Sequence, residues 1–195
     1  EQEHAEAGAQ AVTTIAYKDG ILAGDTQADG GGVKYEVQKI LVADFMTAGS
    51  SFYRARLCVA VAGRRDDGMR LFWHLQGSCR DLVFSEARER IETLQFDKAL
   101  DIDPDDETSS FIVTLAGSPS ALNSSATRPL IAMKRIGRTM DTIGPRGYHA
   151  IGSGRDFALA AMKLGRTPAK AVAISHFFDV GTGPGIQEVS VWPEG

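Results

Sequence analysis

The stretch AVTTIAYKDGILAGDTQ, residues 11–27, predicts a β-hairpin close to the start of the chain. Two runs of strand-forming residues, TTIAY and ILAGD, flank KDG, a turn in which glycine adopts a positive φ at little cost. The hairpin returns Asp25, at the end of the second strand, to the beginning of the first strand. Thr13 and Asp25 are therefore expected to be neighbours. The segment before the hairpin, residues 1–12, is small, polar and acidic, which is typical of a disordered segment.

The composition fits one globular domain and argues against several classes of function. The 195 residues are 43% hydrophobic and 24% charged, and the net charge of −4 disfavours a nucleic-acid-binding surface. The two cysteines, Cys58 and Cys79, lack Cys or His companions at metal-ligand spacing, so no metal or other cofactor is predicted. No apolar run approaches the roughly 20 residues that span a bilayer, and the sequence begins without signal-peptide features. We expect a cytoplasmic protein that binds neither nucleic acid nor membrane.

Downstream of the hairpin, runs of strands alternate with pairs of helices. Residues 67–100 have helical periodicity, with Gly77 and Ser78 as the candidate break between two helices. A second helix pair follows, in which Thr167 and Pro168 supply the N-cap and first residue of the later helix. Strands precede, separate and follow the two pairs: KILVADF, RLCVAVAG, SFIVTLAG, PLIAMKRIG and IQEVSVW. This order predicts an α+β fold, a four-layer αββα sandwich of two antiparallel sheets flanked by helix pairs, as one domain over residues 13–195.

Thr13 is the candidate nucleophile. A threonine hydroxyl is a weak nucleophile and needs a base. If Thr13 were the first residue, its own α-amino group, with an ordinary pKa of about 8, would lie beside Oγ1 and serve as that base. The alternative is that a Thr-Thr pair opening a strand reflects β propensity alone.

Asp25 and Lys39 are the candidate activating pair. Lys39 directly precedes the apolar run ILVADF, where a lysine can place its ammonium between an aspartate and a hydroxyl. That position would favour the alkoxide and keep the nearby amine unprotonated. Taken singly, each residue has a simpler explanation, as a solvated lysine at a strand start or an acid at the junction of a strand and a loop.

Two glycine-rich stretches do not fit nucleotide-binding motifs. AIGSGRDF offers a nest of backbone N–H groups at a helix start, but Phe157 stands where a dinucleotide fingerprint needs a third glycine. GTGPG is not followed by the Gly-Lys-Ser/Thr of a P-loop. A nucleotide-binding module is therefore poorly supported.

The opening hairpin resembles the start of processed proteasome β subunits and of the bacterial HslV peptidase. Those proteins begin with Thr-Thr, reach an aspartate at the end of the second strand, and have a catalytic lysine where this chain has Lys39. Further similar stretches follow in the same order: VAVAGRRDDGMRLFWHL, SSFIVTLAG, AIGSGRDFALAAM and DVGTGPG, the last with Thr182 in place of serine. On these motifs the chain is identified as a member of the proteasome β-subunit and HslV-like peptidase family of N-terminal nucleophile hydrolases, resembling small bacterial or phage proteasome-like proteins.

The resemblance implies a threonine-type endopeptidase that acts on peptides or unfolded proteins. The resemblance implies that Thr13 is the nucleophile and that Asp25 and Lys39 activate it. The network around the amine would comprise Ser153, Asp179 and Thr182, and the backbone at Gly63 would bind the oxyanion. The resemblance also implies a homo-oligomeric ring, a possible ATPase unfoldase partner and no cofactor. Two alternatives stay open: a non-catalytic ring subunit, and an N-terminal nucleophile amidase acting on a small amide.

Three features depart from the family pattern. The leading residues 1–12 would block the amine of Thr13, and are expected to be a propeptide or a mis-annotated extension; retention would leave the protein inactive. We favour a start at Val12, read from a GTG codon. Arg64 and Arg65 stand where the family has small residues, and are expected to favour acidic side chains or obstruct the substrate groove. The segment 116–148 is longer than its HslV counterpart and is expected to form an extra hairpin.

Overall fold

The computed structural model describes residues 13–30, 33–48, 54–101, 108–117, 130–136, 139–144 and 147–193. Helices within these ranges are α1 Arg65–Cys79, α2 Phe84–Glu92, α3 Phe96–Leu100, α4 Arg155–Lys163 and α5 Pro168–His176. The strands are β1 Thr14–Lys18, β2 Ile21–Asp25, β3 Gln27–Gly30, β4 Val33–Glu36, β5 Ile40–Met46, β6 Arg54–Ala62, β7 Ser110–Gly117, β8 Leu130–Ile136, β9 Thr139–Ile143, β10 Tyr148–Gly152 and β11 Ile186–Ser190. The predicted extension, residues 1–12, lies outside the described residues.

Two larger antiparallel sheets carry the fold. One has four strands in the order β10-β1-β2-β11, and the other has five in the order β5-β6-β7-β8-β9. A separate two-stranded ribbon pairs β3 with β4. Helices and antiparallel sheets occur together as segregated elements, so the predicted α+β class is confirmed.

The side chains of β1 alternate between two apolar clusters, as strand geometry requires. Ile15 and Tyr17 pack with residues of the five-stranded sheet, including Ile112. Ala16 points the other way and packs with residues of α4 and α5, such as Ala158 and Val172. A third cluster joins α1 and α2 to the five-stranded sheet. The first residues of β1 are thus held between a sheet on one side and a helix pair on the other.

The predicted helix break at Gly77 and Ser78 is wrong. The helix α1 runs through both residues to Cys79 and is separated from α2 by residues 80–83. Its buried face includes Leu75 and Cys79, so tertiary packing carries the helix past a glycine of low helical propensity. The two adjacent aromatic residues of this helix differ in exposure, because Phe72 is buried whereas Trp73 is exposed.

The two-stranded ribbon of β3 and β4 was not expected from the sequence. Both strands are four residues long, and β4 is exposed throughout. The strand β9 pairs with β8 in the segment for which an extra hairpin was expected, although residues 118–129 of that segment lie outside the described residues. In the described part of the chain, no helix is long and apolar enough to cross a bilayer.

Candidate active site

Thr13 lies immediately before β1 and is fixed by the end of β10. The N–H of Ser153 donates to the carbonyl oxygen of Thr13 at 2.8 Å. The preceding residue, Gly152, has φ +94°, and a Cβ added there would overlap that carbonyl. Thr13 itself is 3% exposed. Glycine is therefore required at position 152 both by its backbone conformation and by the close approach of Thr13.

Lys39 approaches Thr13 from the five-stranded sheet. Its ammonium donates a short hydrogen bond to Thr13 Oγ1 and forms an ion pair with Asp25, with 2.5 Å between Nζ and Oδ1. The second carboxylate oxygen of Asp25 accepts from the backbone N–H of Thr14 at 3.1 Å. The three residues thus form a connected line of carboxylate, ammonium and hydroxyl.

Burial dominates the electrostatics of this pair. Loss of hydration raises the pKa of Asp25 and lowers the pKa of Lys39, and each charge partly offsets the shift of the other. The side chain of Asp25 is fully buried and that of Lys39 is 6% exposed. In its charged form this lysine donates a hydrogen bond to the adjacent hydroxyl. Because its pKa is lowered, it gives up its proton more readily than a solvated lysine.

Gln187 of β11 contacts the backbone at Lys39, and no motif in the sequence pointed to it. Its amide oxygen accepts from the backbone N–H groups of Lys39 and Ile40 at 3.1 and 3.0 Å. Its amide nitrogen donates to the carbonyl of Ile40 at 2.8 Å. The Gln187 side chain therefore takes the place of a neighbouring strand at the start of β5, which is an edge strand, and it links the two sheets at the site.

A second carboxylate, that of Asp179, is linked through Ser153 to the backbone nitrogen of Thr13. Asp179 Oδ2 accepts from Ser153 Oγ at 2.7 Å and from Thr182 Oγ1 at 2.6 Å, and Ser153 Oγ lies 3.4 Å from the nitrogen of Thr13. Burial pushes the pKa of Asp179 upwards, but hydrogen bonds from Thr182, Ser153 and the N–H of Gly181 outweigh it, so the pKa is lowered. This carboxylate is therefore ionised and orients Ser153 toward the nitrogen of Thr13.

The turn that follows β6 brings Gly63 to the same region. Gly63 has φ +121°, and the preceding residue, Ala62, has its Cβ 3.3 Å from where a side chain at Gly152 would begin. Ser109 Oγ accepts from the N–H of Arg64 at 3.1 Å and donates to Asp67 at 2.7 Å. The turn is therefore held rigidly beside the residue that anchors Thr13.

The side chain of Arg64 lies at the first turn of α1. Its guanidinium pairs with Asp67, with Nε 3.1 Å from Oδ2, in the first turn of α1. This pair closes the turn after β6 onto the helix. Arg65, the second arginine, is exposed at the start of α1.

The structure brings together the sequence-predicted site residues in two groups. Asp25 and Lys39 converge on the hydroxyl of Thr13, whereas Ser153, Asp179 and Thr182 form a network that reaches its nitrogen; Gly63 lies at the neighbouring turn. Among the described residues, no three His, Cys, Asp or Glu side chains converge as a metal site would require. The arrangement supplies a polarised hydroxyl, a buried cation and an oriented nitrogen around one threonine.

Comparison with known proteins shows similarity of fold and not of sequence. No family model and no curated protein matches this sequence. Among the 28 matching chains of solved structures is the Gly-1 mutant of Anbu from Hyphomicrobium sp. strain MC1. The two are 8% identical with a TM-score of 0.54, over 91% of this chain and 80% of that chain. At this identity the likeness shows a shared fold and nothing about activity.

The identification of the sequence as a member of the proteasome β-subunit and HslV-like family was wrong. Neither a family model nor a curated sequence supports it, and the likeness to Anbu is at the level of fold. The motifs that suggested it are short runs in which a strand meets a glycine-containing turn, a combination that recurs in many folds. The ring assembly and the ATPase partner that the resemblance implied stay predictions.

Proposed function

We propose that this protein is a hydrolase of amide bonds in which Thr13, once its α-amino group is free, is an N-terminal nucleophile. The observation that carries this proposal is the contact of the Lys39 ammonium with Thr13 Oγ1, while the same ammonium is paired with Asp25. A buried cation against a hydroxyl stabilises the alkoxide that attack requires. A threonine that only opened a strand would not need a buried ion pair at its side chain.

The first half of the proposed reaction forms an ester on Thr13. Oγ1 attacks the carbonyl carbon of the substrate amide and transfers its proton to the α-amino nitrogen of the same residue. The ammonium of Lys39 stabilises the developing alkoxide, and Asp25 keeps that ammonium charged. The α-ammonium group then gives its proton to the nitrogen of the leaving amine as the carbon–nitrogen bond breaks.

The second half releases the product. Water gives a proton to the α-amino group, and the resulting hydroxide attacks the ester carbonyl, so that the carboxylic acid leaves and Oγ1 recovers its proton. In both halves negative charge develops on the carbonyl oxygen. We assign its stabilisation to backbone N–H groups at the turn containing Gly63, because that turn is rigid and adjacent to the anchor of Thr13.

Peptide bonds of unfolded segments are the substrate class that we favour over small amides. The site is at the open ends of strands in a proteasome-like fold, and the exposed edge ribbon of β3 and β4 follows Asp25 directly. Extended peptides bind by adding to such exposed strands. The order of the apolar clusters, from helices through two sheets to helices, supports the four-layer sandwich expected of N-terminal nucleophile hydrolases.

The decisive experiment compares two forms of the same chain. One contains residues 1–195, and the other begins at Thr13 after proteolytic release from a fusion partner. We expect only the released form to hydrolyse fluorogenic peptide amides and to form an adduct with a peptide epoxyketone on Thr13, detected by intact mass. Thr13→Ala in the released form should remove both signals, and Thr13→Ser should retain part of the activity. Equal turnover by the Thr13→Ala variant would refute the proposal.

A further inference from the structure

Thr14 adjoins the proposed nucleophile and points to the opposite face of the sheet. Successive residues of a strand alternate in direction, so Thr14 shares its face with Ala16, which packs against α4 and α5. Its side chain is fully buried. There Thr14 Oγ1 lies 2.5 Å from Oγ1 of Thr182.

The direction of the hydrogen bonds follows from the number of protons. A hydroxyl has one proton to donate, and an ionised carboxylate can only accept. Thr182 Oγ1 donates its proton to Asp179 at 2.6 Å, so the proton between the two threonine hydroxyls must come from Thr14. On the other side, Ser153 donates to the same carboxylate oxygen at 2.7 Å, which leaves its lone pairs to accept from the nitrogen of Thr13.

The hydrogen bonds therefore close a ring around one carboxylate. Thr13 reaches Asp179 through Ser153, and Thr14 reaches it through Thr182. The backbone N–H of Thr14 meanwhile donates to the other carboxylate, Asp25, at 3.1 Å. Through its amide and its hydroxyl, Thr14 contacts both groups of residues that surround the nucleophile.

Gly154 leaves the room that this contact needs. A Cβ at position 154 would lie 2.8 Å from Thr182 Oγ1 and would overlap Thr14 Oγ1. The φ of Gly154 is −86°, which any residue adopts, so its lack of a side chain is required by space and not by backbone conformation. The helix start at α4 is thus shaped around the pair of hydroxyls.

We propose that Thr14 is a positioning residue, whose hydroxyl fixes Thr182 and Asp179 so that Ser153 is held against the α-amino group of Thr13. This inference rests on the proposed function, because it concerns the orientation of the base in that reaction. Loss of the hydroxyl removes the hydrogen bond from Thr14 to Thr182 Oγ1 and loosens the position of Thr182 against Asp179. The base then spends less time in the productive orientation, which lowers kcat while substrate binding is unaffected.

The test uses the released chain beginning at Thr13, with Thr14→Val and Thr14→Ser as a matched pair. Valine keeps the volume and removes the hydroxyl, whereas serine keeps the hydroxyl. We expect Thr14→Val to lower kcat for a peptide amide by about tenfold, the rate equivalent of one buried hydrogen bond, with KM changed less than about twofold. Thr14→Ser should recover most of kcat. Each rate is divided by the fraction of molecules that react with a peptide epoxyketone.

Gly154→Ala perturbs the same contact without replacing Thr14, and keeps the proposal testable if Thr14→Val does not fold. It should lower kcat in the same direction. A value of kcat for Thr14→Val or Gly154→Ala equal to the unmodified chain, beside an inactive Thr13→Ala, would overturn the role of Thr14 and leave the proposed function intact. Turnover by Thr13→Ala, or no turnover and no adduct in the unmodified chain, would overturn the proposed function, and the role of Thr14 with it.

Discussion

Asp25 and Lys39 form an ion pair that is almost completely removed from water, with 2.5 Å between Oδ1 and Nζ and with side chains 0% and 6% exposed. Such a pair contributes little net stability, because the loss of hydration offsets the attraction between the charges. Its retention in a core otherwise rich in apolar side chains is therefore better explained by chemistry at Thr13 than by stability.

The two residues should be strongly coupled in unfolding. Either single variant, Asp25→Asn or Lys39→Met, leaves one buried charge without its partner and should lower the free energy of unfolding by about 3–5 kcal/mol. The double variant should lose much less than the sum, since no buried charge remains. Urea unfolding of the four proteins measures the coupling, and strictly additive losses would contradict the view that each charge compensates the other.

Gly152 should be far less tolerant of alanine than Gly165. Both have a positive φ, +94° and +86°, but a Cβ at Gly165 would meet nothing within 4 Å, whereas one at Gly152 would overlap the carbonyl of Thr13. Gly165→Ala should therefore cost only the backbone strain, about 1–2 kcal/mol. Gly152→Ala should cost more and also displace Thr13. Thermal unfolding measures the first effect, and epoxyketone labelling of the released chain measures the second; equal losses in both variants would show that the overlap is relieved without consequence.

Gln187 should matter to stability more than its partial exposure suggests. Gln187→Leu removes the hydrogen bonds that this side chain makes with two backbone N–H groups and one carbonyl at the start of β5, which should cost about 1–3 kcal/mol in chemical denaturation. The matched control is Glu188→Ala, an exposed position on the same strand, which should change the free energy by less than about 0.5 kcal/mol. Similarly small effects for both variants would show that the hydrogen bonds of Gln187 do not hold the start of β5.

Asp179 should make stability depend on acidity. Its pKa in the folded protein lies below the ordinary value of 3.8, because the hydrogen bonds to its carboxylate outweigh the effect of burial. A lowered folded-state pKa means that the stabilisation is fully present above about 3.8 and is lost as pH falls through the folded-state pKa. The difference in unfolding free energy between the unmodified chain and Asp179→Asn should therefore shrink below that pH. A difference that is constant from pH 6 to pH 2 would indicate a carboxylate whose pKa is the same folded and unfolded.

Cys58 should be inert to thiol reagents in the folded protein. Burial raises the pKa of its thiol to about 12, and burial also raises the pKa of Cys79, so almost no thiolate exists at pH 8. We expect neither cysteine to react with a disulfide reagent such as DTNB until urea unfolds the chain. Rapid reaction of one cysteine in native buffer would reveal opening of the core around it.

The sequence determined the local part of this protein. A two-residue turn between two strands brings Asp25 beside the start of the first strand whatever the rest of the chain does, because hairpin register follows from the turn. Runs of apolar and β-branched residues likewise predicted β1, β2, β6 and β7, and helical periodicity predicted the helix pairs. The same local reasoning failed where packing overrode it, as at Gly77, and where short motifs were taken for family membership.

Only the tertiary structure decided how the site is completed. Ser153, Asp179 and Thr182 were proposed from a resemblance, but their convergence on Thr13 depends on β10 pairing with β1 and on the loop after α5, about 140–170 positions away in sequence. Gln187 carried no sequence signal, and the second threonine was noted only as a member of the Thr-Thr pair. Polar side chains of ordinary type become site residues through long-range packing, and that packing is not encoded in the spacing of any one stretch, since each contact depends on elements that fold together only in the complete domain.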